Sequence, residues 1–121
     1  MTAPEWVLVA LVGGTAAIAR FLLDGSVSAR VASRFPVGTF VVNISGALVL
    51  GLLTGLALSG PALVIAGTAT IGSYTTFSTW MLETQRLAEE AELPTAALNL
   101  ALSLLAGVAA AALGRLIGGQ L

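Results

Sequence analysis

Ile71-Gly72-Ser73-Tyr74-Thr75-Thr76-Phe77-Ser78-Thr79-Trp80 is the stretch on which the reading of this sequence turns. It lies inside an apolar segment, yet it holds a glycine, five serine or threonine residues, a tyrosine and two further large aromatics. Counted from Pro61, where that segment starts, Gly72 falls near the centre of a bilayer core of about 30 Å, which takes roughly 20 helical residues. Backbone at that depth has no water to satisfy it, and irregular chain is tolerated there only when buried in protein or lining a wet cavity. An isolated Ser or Thr in a membrane helix bonds back to the preceding turn. A run this dense around a glycine predicts instead a helix broken mid-membrane, with a polar task.

The rest of the chain agrees with a membrane setting. Of 121 residues, 57% are hydrophobic and only 9% charged, which is the composition of a single lipid-embedded domain, residues 1–121. Five arginines against six acids give a net charge of -1, so there is no basic patch for nucleic acid. With no His and no Cys, thiolate and imidazole metal sites, Cys nucleophiles and a Ser-His-Asp arrangement are excluded. No acid–base or nucleophile–base pair is recognisable, so the chain is not read as an enzyme. Met1-Thr-Ala-Pro-Glu-Trp6 lacks the positive start of a signal peptide, and the first apolar segment is expected to be retained.

Four apolar segments are predicted, over residues 6–23, 37–58, 62–84 and 95–117. Trp6 suits the interfacial belt at the start of the first. Arg20, near its far end, either snorkels to water or lines an aqueous vestibule. The loop that follows has room for a short interfacial helix with Arg30 and Arg34 on one face. In the second segment Ala47, Gly51 and Gly55 form a small-residue stripe that admits another helix closely. Thr39 and Asn43 share a face, and Asn43 is either interhelical glue or turned toward a ligand. Ser59-Gly-Pro61 is a tight reversal, so the second and third segments are antiparallel neighbours. In the fourth, Asn99, Ser103, Gly107, Ala111 and Arg115 recur every fourth residue as a small, polar stripe. Gly107 and Ala111 read as packing; Asn99 and Ser103 do not, because apolar residues would serve packing alone.

Taken together, Gly13-Gly14 with Arg20-Phe21, Gly38-Thr39-x-x-x-Asn43-x-x-Gly46, Gly72-x-x-Thr75-Thr76-Phe77-Ser78-Thr79 and Asn99-x-x-x-Ser103-x-x-x-Gly107 resemble the Fluc/CrcB family of bacterial fluoride channels. The resemblance implies an all-α integral membrane fold: four transmembrane helices per subunit, the third broken, in an antiparallel, dual-topology dimer with two fluoride pores and a central sodium ion. It implies a multi-pass protein of the bacterial cytoplasmic membrane that exports fluoride passively. By position, Asn43, Phe77, Ser78, Thr79, Trp80 and Ser103 would line the fluoride pore. Arg20 and Thr39 would face the vestibule, and the backbone carbonyls of Gly72 and Thr75 would coordinate the sodium. The chain departs from the family pattern at Trp80, where a second Phe is usual, at Ser73-Tyr74, at Gly107 in the polar track, and at Ala16.

The chemistry stands without the family name. A small anion needs hydrogen-bond donors, which Asn, Ser and Thr supply, and aromatic rings offer positive edges. No Arg falls mid-membrane, where a full charge would hold the ion too firmly to release it. A cation site needs oxygen acceptors, which a helix break provides. A two-fold axis in the membrane plane lets mid-depth residues such as Gly72 meet their own symmetry mates. The partner is then a second copy or an oppositely oriented homologue. Arg30, Arg34 and Arg86 fall on one side and Arg115 on the other, a modest bias that leaves both partners open. Two other readings compete. A small four-helix proton-coupled multidrug exporter needs a protonatable carboxylate within the bilayer, and Glu5 and Glu83 lie near segment ends. A scaffold would leave the polar run around Gly72 without a purpose.

Overall fold

The computed structural model describes residues 1–121 as an all-helical chain without strands. Helix α1 spans Ala3–Arg30, α2 Val37–Gly55, α3 Gly60–Leu63, a π-helix Val64–Ile71, α4 Gly72–Tyr74, α5 Ser78–Glu89 and α6 Leu93–Gly118. Three of these, α1, α2 and α6, are long and apolar enough to cross a membrane.

Helix α1 runs well past the expected residue 23. Its 28 residues rise about 42 Å at 1.5 Å each. Glu5 starts it by accepting the Thr2 N–H at 2.6 Å. Asp24-Gly-Ser reads as a turn, yet the helix passes through it. Ser28 donates to Asp24 Oδ1 at 3.2 Å and Arg30 to the Ser26 carbonyl at 3.2 Å, so these polar groups bond along the helix rather than break it. The expected interfacial helix carrying Arg30 and Arg34 is therefore corrected: Arg30 ends α1, while Arg34 lies in the following loop and pairs with Glu92.

Pro36, which cannot donate a backbone bond, precedes α2, and the Phe40 N–H returns to its carbonyl at 3.1 Å. Helix α2 stops at Gly55, and the reversal into α3 uses positive φ at Ala57 (56°) and at Gly60 (60°). The third apolar stretch is not one helix. It opens with a single α-turn and widens into the π-helix, where Thr70 Oγ1 donates five residues back to Ile65. It resumes as α4 and then breaks. The expected position of the break is corrected by three residues. Gly72 is helical (φ −62°, ψ −35°), and the chain first becomes extended at Thr75 (φ −82°, ψ 161°). After Thr75–Phe77 it re-enters a helix at Ser78, and α5 continues past the expected residue 84 to Glu89.

The most extensive packing is between α2 and α6. It is backbone against backbone. A Cβ placed on Gly51 would overlap the Ala111 carbonyl, one on Gly55 the Arg115 carbonyl, one on Gly114 the Leu48 carbonyl and one on Gly118 the Leu52 carbonyl. Small residues let two helices approach this closely where lipid gives no hydrophobic incentive to associate. Few large apolar side chains are buried. Phe21, Leu104, Leu105 and Leu116 point outward, as a lipid-facing surface requires.

Gly114→Ala should therefore cost about 1–3 kcal/mol, since a methyl group meets backbone that cannot yield. Gly25→Ala, which meets nothing within 4 Å, should be neutral. Unfolding in mixed detergent–SDS micelles reads both; equal stability of the two variants would contradict the α2–α6 contact.

Candidate functional site

The break is closed by one side chain from α2. The Thr76 N–H donates to Asn43 Oδ1 at 2.8 Å, and Asn43 Nδ2 donates to the Thr76 carbonyl at 2.8 Å. Asn43 thus replaces, for one residue, the two backbone partners a continuous helix would supply. An Asn amide carries two N–H donors, so one remains after this clamp. Thr76 also starts the next helix: its Oγ1 accepts the Thr79 N–H at 3.2 Å, in the manner of an N-cap, and contacts Thr79 Oγ1 at 3.1 Å and Ser78 Oγ at 3.4 Å. On the other side of the break, the N–H and Oγ1 of Thr75 both donate to the Ile71 carbonyl at 2.9 Å, whereas the Thr75 carbonyl accepts no hydrogen bond within the chain. Gly46 on α2 makes room for this turn, since a Cβ there would overlap the Thr75 methyl.

Two concavities meet at Thr76. One, of about 290 Å³, is lined by Asn43, Gly46, Thr75, Thr76, Phe77 and Trp80 among others. The other, of about 140 Å³, is lined by Arg20, Phe21, Asp24, Thr39, Val42, Thr76 and Thr79. The structure thus gathers Asn43, Phe77 and Trp80 at one face of the break, and Arg20, Thr39 and Thr79 at the other. The rings of Phe77 and Trp80 stand edge to face, 5.7 Å apart and 83° between planes. Phe77 is 69% exposed in the single chain. Ser78 is exposed at the start of α5. Ser103 lines neither concavity; its hydroxyl donates to Asn99 Oδ1 at 3.3 Å. Gly72 is exposed and has open space around it.

Glu83 and Asn99, which the sequence did not assign to pore, vestibule or sodium site, also belong to this neighbourhood. Thr39, only 3% exposed, donates its hydroxyl to the Glu83 carboxylate, which places Glu83 beside the Arg20 concavity rather than at a free segment end. The four-residue spacing of Glu83 from Thr79 was the available signal. Asn99, 1% exposed, donates its side-chain amide to Thr84 Oγ1 at 2.8 Å, and its main-chain carbonyl accepts the Trp80 indole N–H at 3.1 Å.

Residues 7–115 match the family model described as CrcB-like protein, Camphor Resistance (CrcB). The chain is 55% identical over 114 residues to fluoride-specific ion channel FluC 2 of Mycolicibacterium paratuberculosis, covering 94% of this chain and 93% of that protein. It is 51% identical over 117 residues to fluoride-specific ion channel FluC 2 of Mycobacterium tuberculosis, covering 97% and 93%. It is 41% identical over 120 residues to fluoride-specific ion channel FluC 1 of Symbiobacterium thermophilum, covering 94% and 97%. With a family match over nearly its whole length and relatives this similar end to end, the chain belongs to the CrcB family.

Proposed function

We propose that this chain is the subunit of a passive, fluoride-selective channel of the bacterial cytoplasmic membrane. The observation that carries the reading is the concavity at the helix break, where the spare Asn43 N–H and the rings of Phe77 and Trp80 come together with no full charge among them. The names of the relatives, fluoride-specific ion channels, support it. An anion enters beside Arg20, passes the Thr79 hydroxyl, and meets the clamp at Asn43 and Thr76. It leaves along the edges of Phe77 and Trp80 toward Ser103.

Selectivity follows from size and hydration. Fluoride sheds its water only if closely placed donors replace it, and chloride must push rings and helices apart. One such clash costs about 1–3 kcal/mol, which is about tenfold to a hundredfold in rate. Strong rejection of chloride therefore needs several constrictions in series along the path.

The pore is completed by a partner. In this reading Gly60–Tyr74 and α5 together make a fourth crossing, and two subunits lie antiparallel about an axis in the membrane plane. Support comes from the exposed Phe77, from the open space at Gly72 and from the unpaired Thr75 carbonyl. The donor set also fits a structural sodium ion: the Thr75 and Gly72 carbonyls are hard oxygen acceptors at a break, and those of two subunits would hold it. When bound, such an ion supplies charge that ties the two breaks together. The partner is a second copy or an oppositely oriented homologue. A cysteine placed at Gln120 should label from both sides of the membrane in a homodimer. Labelling from one side only, with no oppositely oriented homologue present, refutes the antiparallel arrangement.

Purified protein in liposomes, with valinomycin and a potassium gradient setting the voltage, should release fluoride and retain chloride. Replacing sodium on both sides by a large organic cation should stop the release. Comparable fluoride and chloride rates would sink the channel reading, and undiminished flux from intact dimers free of sodium would sink the sodium reading alone.

Asn43→Asp keeps an acceptor for the Thr76 N–H but loses the donor to its carbonyl and sets a negative charge in the path. The unmade bond alone costs about 1–3 kcal/mol, so fluoride efflux should fall about tenfold to a hundredfold or more. Normal efflux from a correctly assembled variant would remove Asn43 from the pathway.

A further inference from the structure

We propose that Asn99 is a positioning residue for the pore: it anchors the Trp80 ring, and with it one wall of the anion path. The inference rests on the channel reading above. Asn99 comes from α6, lines neither concavity, and is 1% exposed. Such burial of an amide is costly unless its polar atoms are paired, and here they are. Nδ2 donates to Thr84 Oγ1 at 2.8 Å, and Oδ1 accepts from Ser103 at 3.3 Å. Thr84 Oγ1 passes the bond on to the Trp80 main-chain carbonyl at 2.8 Å, while the Trp80 indole N–H reaches back to the main-chain carbonyl of Asn99 at 3.1 Å. These bonds form a closed circuit between α5 and α6 that holds Trp80 at both its main chain and its ring.

The circuit matches the side chain it holds. A phenylalanine at position 80 has no ring N–H, so the bond to the Asn99 carbonyl exists only because this chain carries Trp. A ring held at one end by its N–H keeps its edge at a set angle, and the 83° crossing with Phe77 is the outcome. A freely turning indole would widen the constriction and admit larger anions. The same Asn99 Oδ1 takes the proton of Ser103, so Ser103 must turn away from Asn99 before it can donate to a passing ion.

The chain has two tryptophans, and Trp6 is exposed at the start of α1, so Trp6→Phe leaves Trp80 as the sole reporter. In that background Thr84→Val removes the acceptor of the Asn99 amide with little change of shape, and Thr84→Ser keeps it. Thr84→Val should lower Trp80 fluorescence anisotropy in proteoliposomes and raise chloride leak relative to fluoride efflux by about tenfold, the weight of one hydrogen bond. Thr84→Ser should keep both at the parent value. Asn99→Leu should act like Thr84→Val, and the double variant should be no worse than either. Anisotropy reads the anchor without any ion flux. If it is unchanged in Thr84→Val, the anchor is overturned even in a protein that conducts fluoride. If the parent protein releases no fluoride, the channel reading falls and takes the selectivity role with it. Strictly additive effects of the two substitutions would also overturn the shared circuit.

Discussion

A peptide group shut off from water must find its hydrogen bonds inside the protein, and at Thr76 this chain finds both on one side chain. The reciprocal bond with Asn43 is what permits the helix to stop and restart inside the protein. In water the same break would be trivial, since solvent would satisfy Thr76. In hydrocarbon each unsatisfied group costs several kcal/mol, so the break and its clamp exist together or not at all. Once the clamp is made, the neighbouring features follow. Thr76 is free to cap α5 with its hydroxyl, the Thr75 carbonyl is released from the helix ladder, and Phe77 is turned to the surface of the chain.

The clamp depends in turn on where α2 stands. Asn43 reaches Thr76 because Gly46, one turn on, leaves room for the Thr75 methyl. Further along, Gly51 and Gly55 seat α2 directly on the backbone of α6. Helix α6 then carries Asn99 under α5, where it meets Trp80 and Thr84. The polar groups around the break are thus set by contacts in which side chains are absent. Helices that touch through their main chains have little freedom to slide, which suits a site whose donors must stay in place.

Much of this was legible beforehand. Hydroxyls crowded around a glycine at mid-membrane depth announced a broken helix, and the four-residue spacing of small residues announced the close approach of α2 to another helix. The exact residue of the break was not legible, because Gly72 marks the weakest helix former while the break forms where partners exist, at Thr76. Nothing local links Asn43 to a residue 33 positions away, or Thr39 to Glu83 at a distance of 44. The length of α1 was misjudged because Asp24-Gly-Ser is turn chemistry in isolation; bonds four residues apart along the helix absorb its polarity. The π-helix left no trace in composition, since Val64–Ile71 reads as ordinary apolar helix.

The uneven apolarity of the helices bears on how the protein is made. Helices α1, α2 and α6 are long and apolar enough to cross a membrane. Helix α5, with Glu83, Gln85, Arg86 and Glu89, is not, and charged residues of this kind oppose insertion by the translocon. Polar partners of Trp80 and Thr84 lie on α6, which follows α5 in the chain, so α5 gains the Asn99 main-chain carbonyl and side-chain amide only once α6 is present.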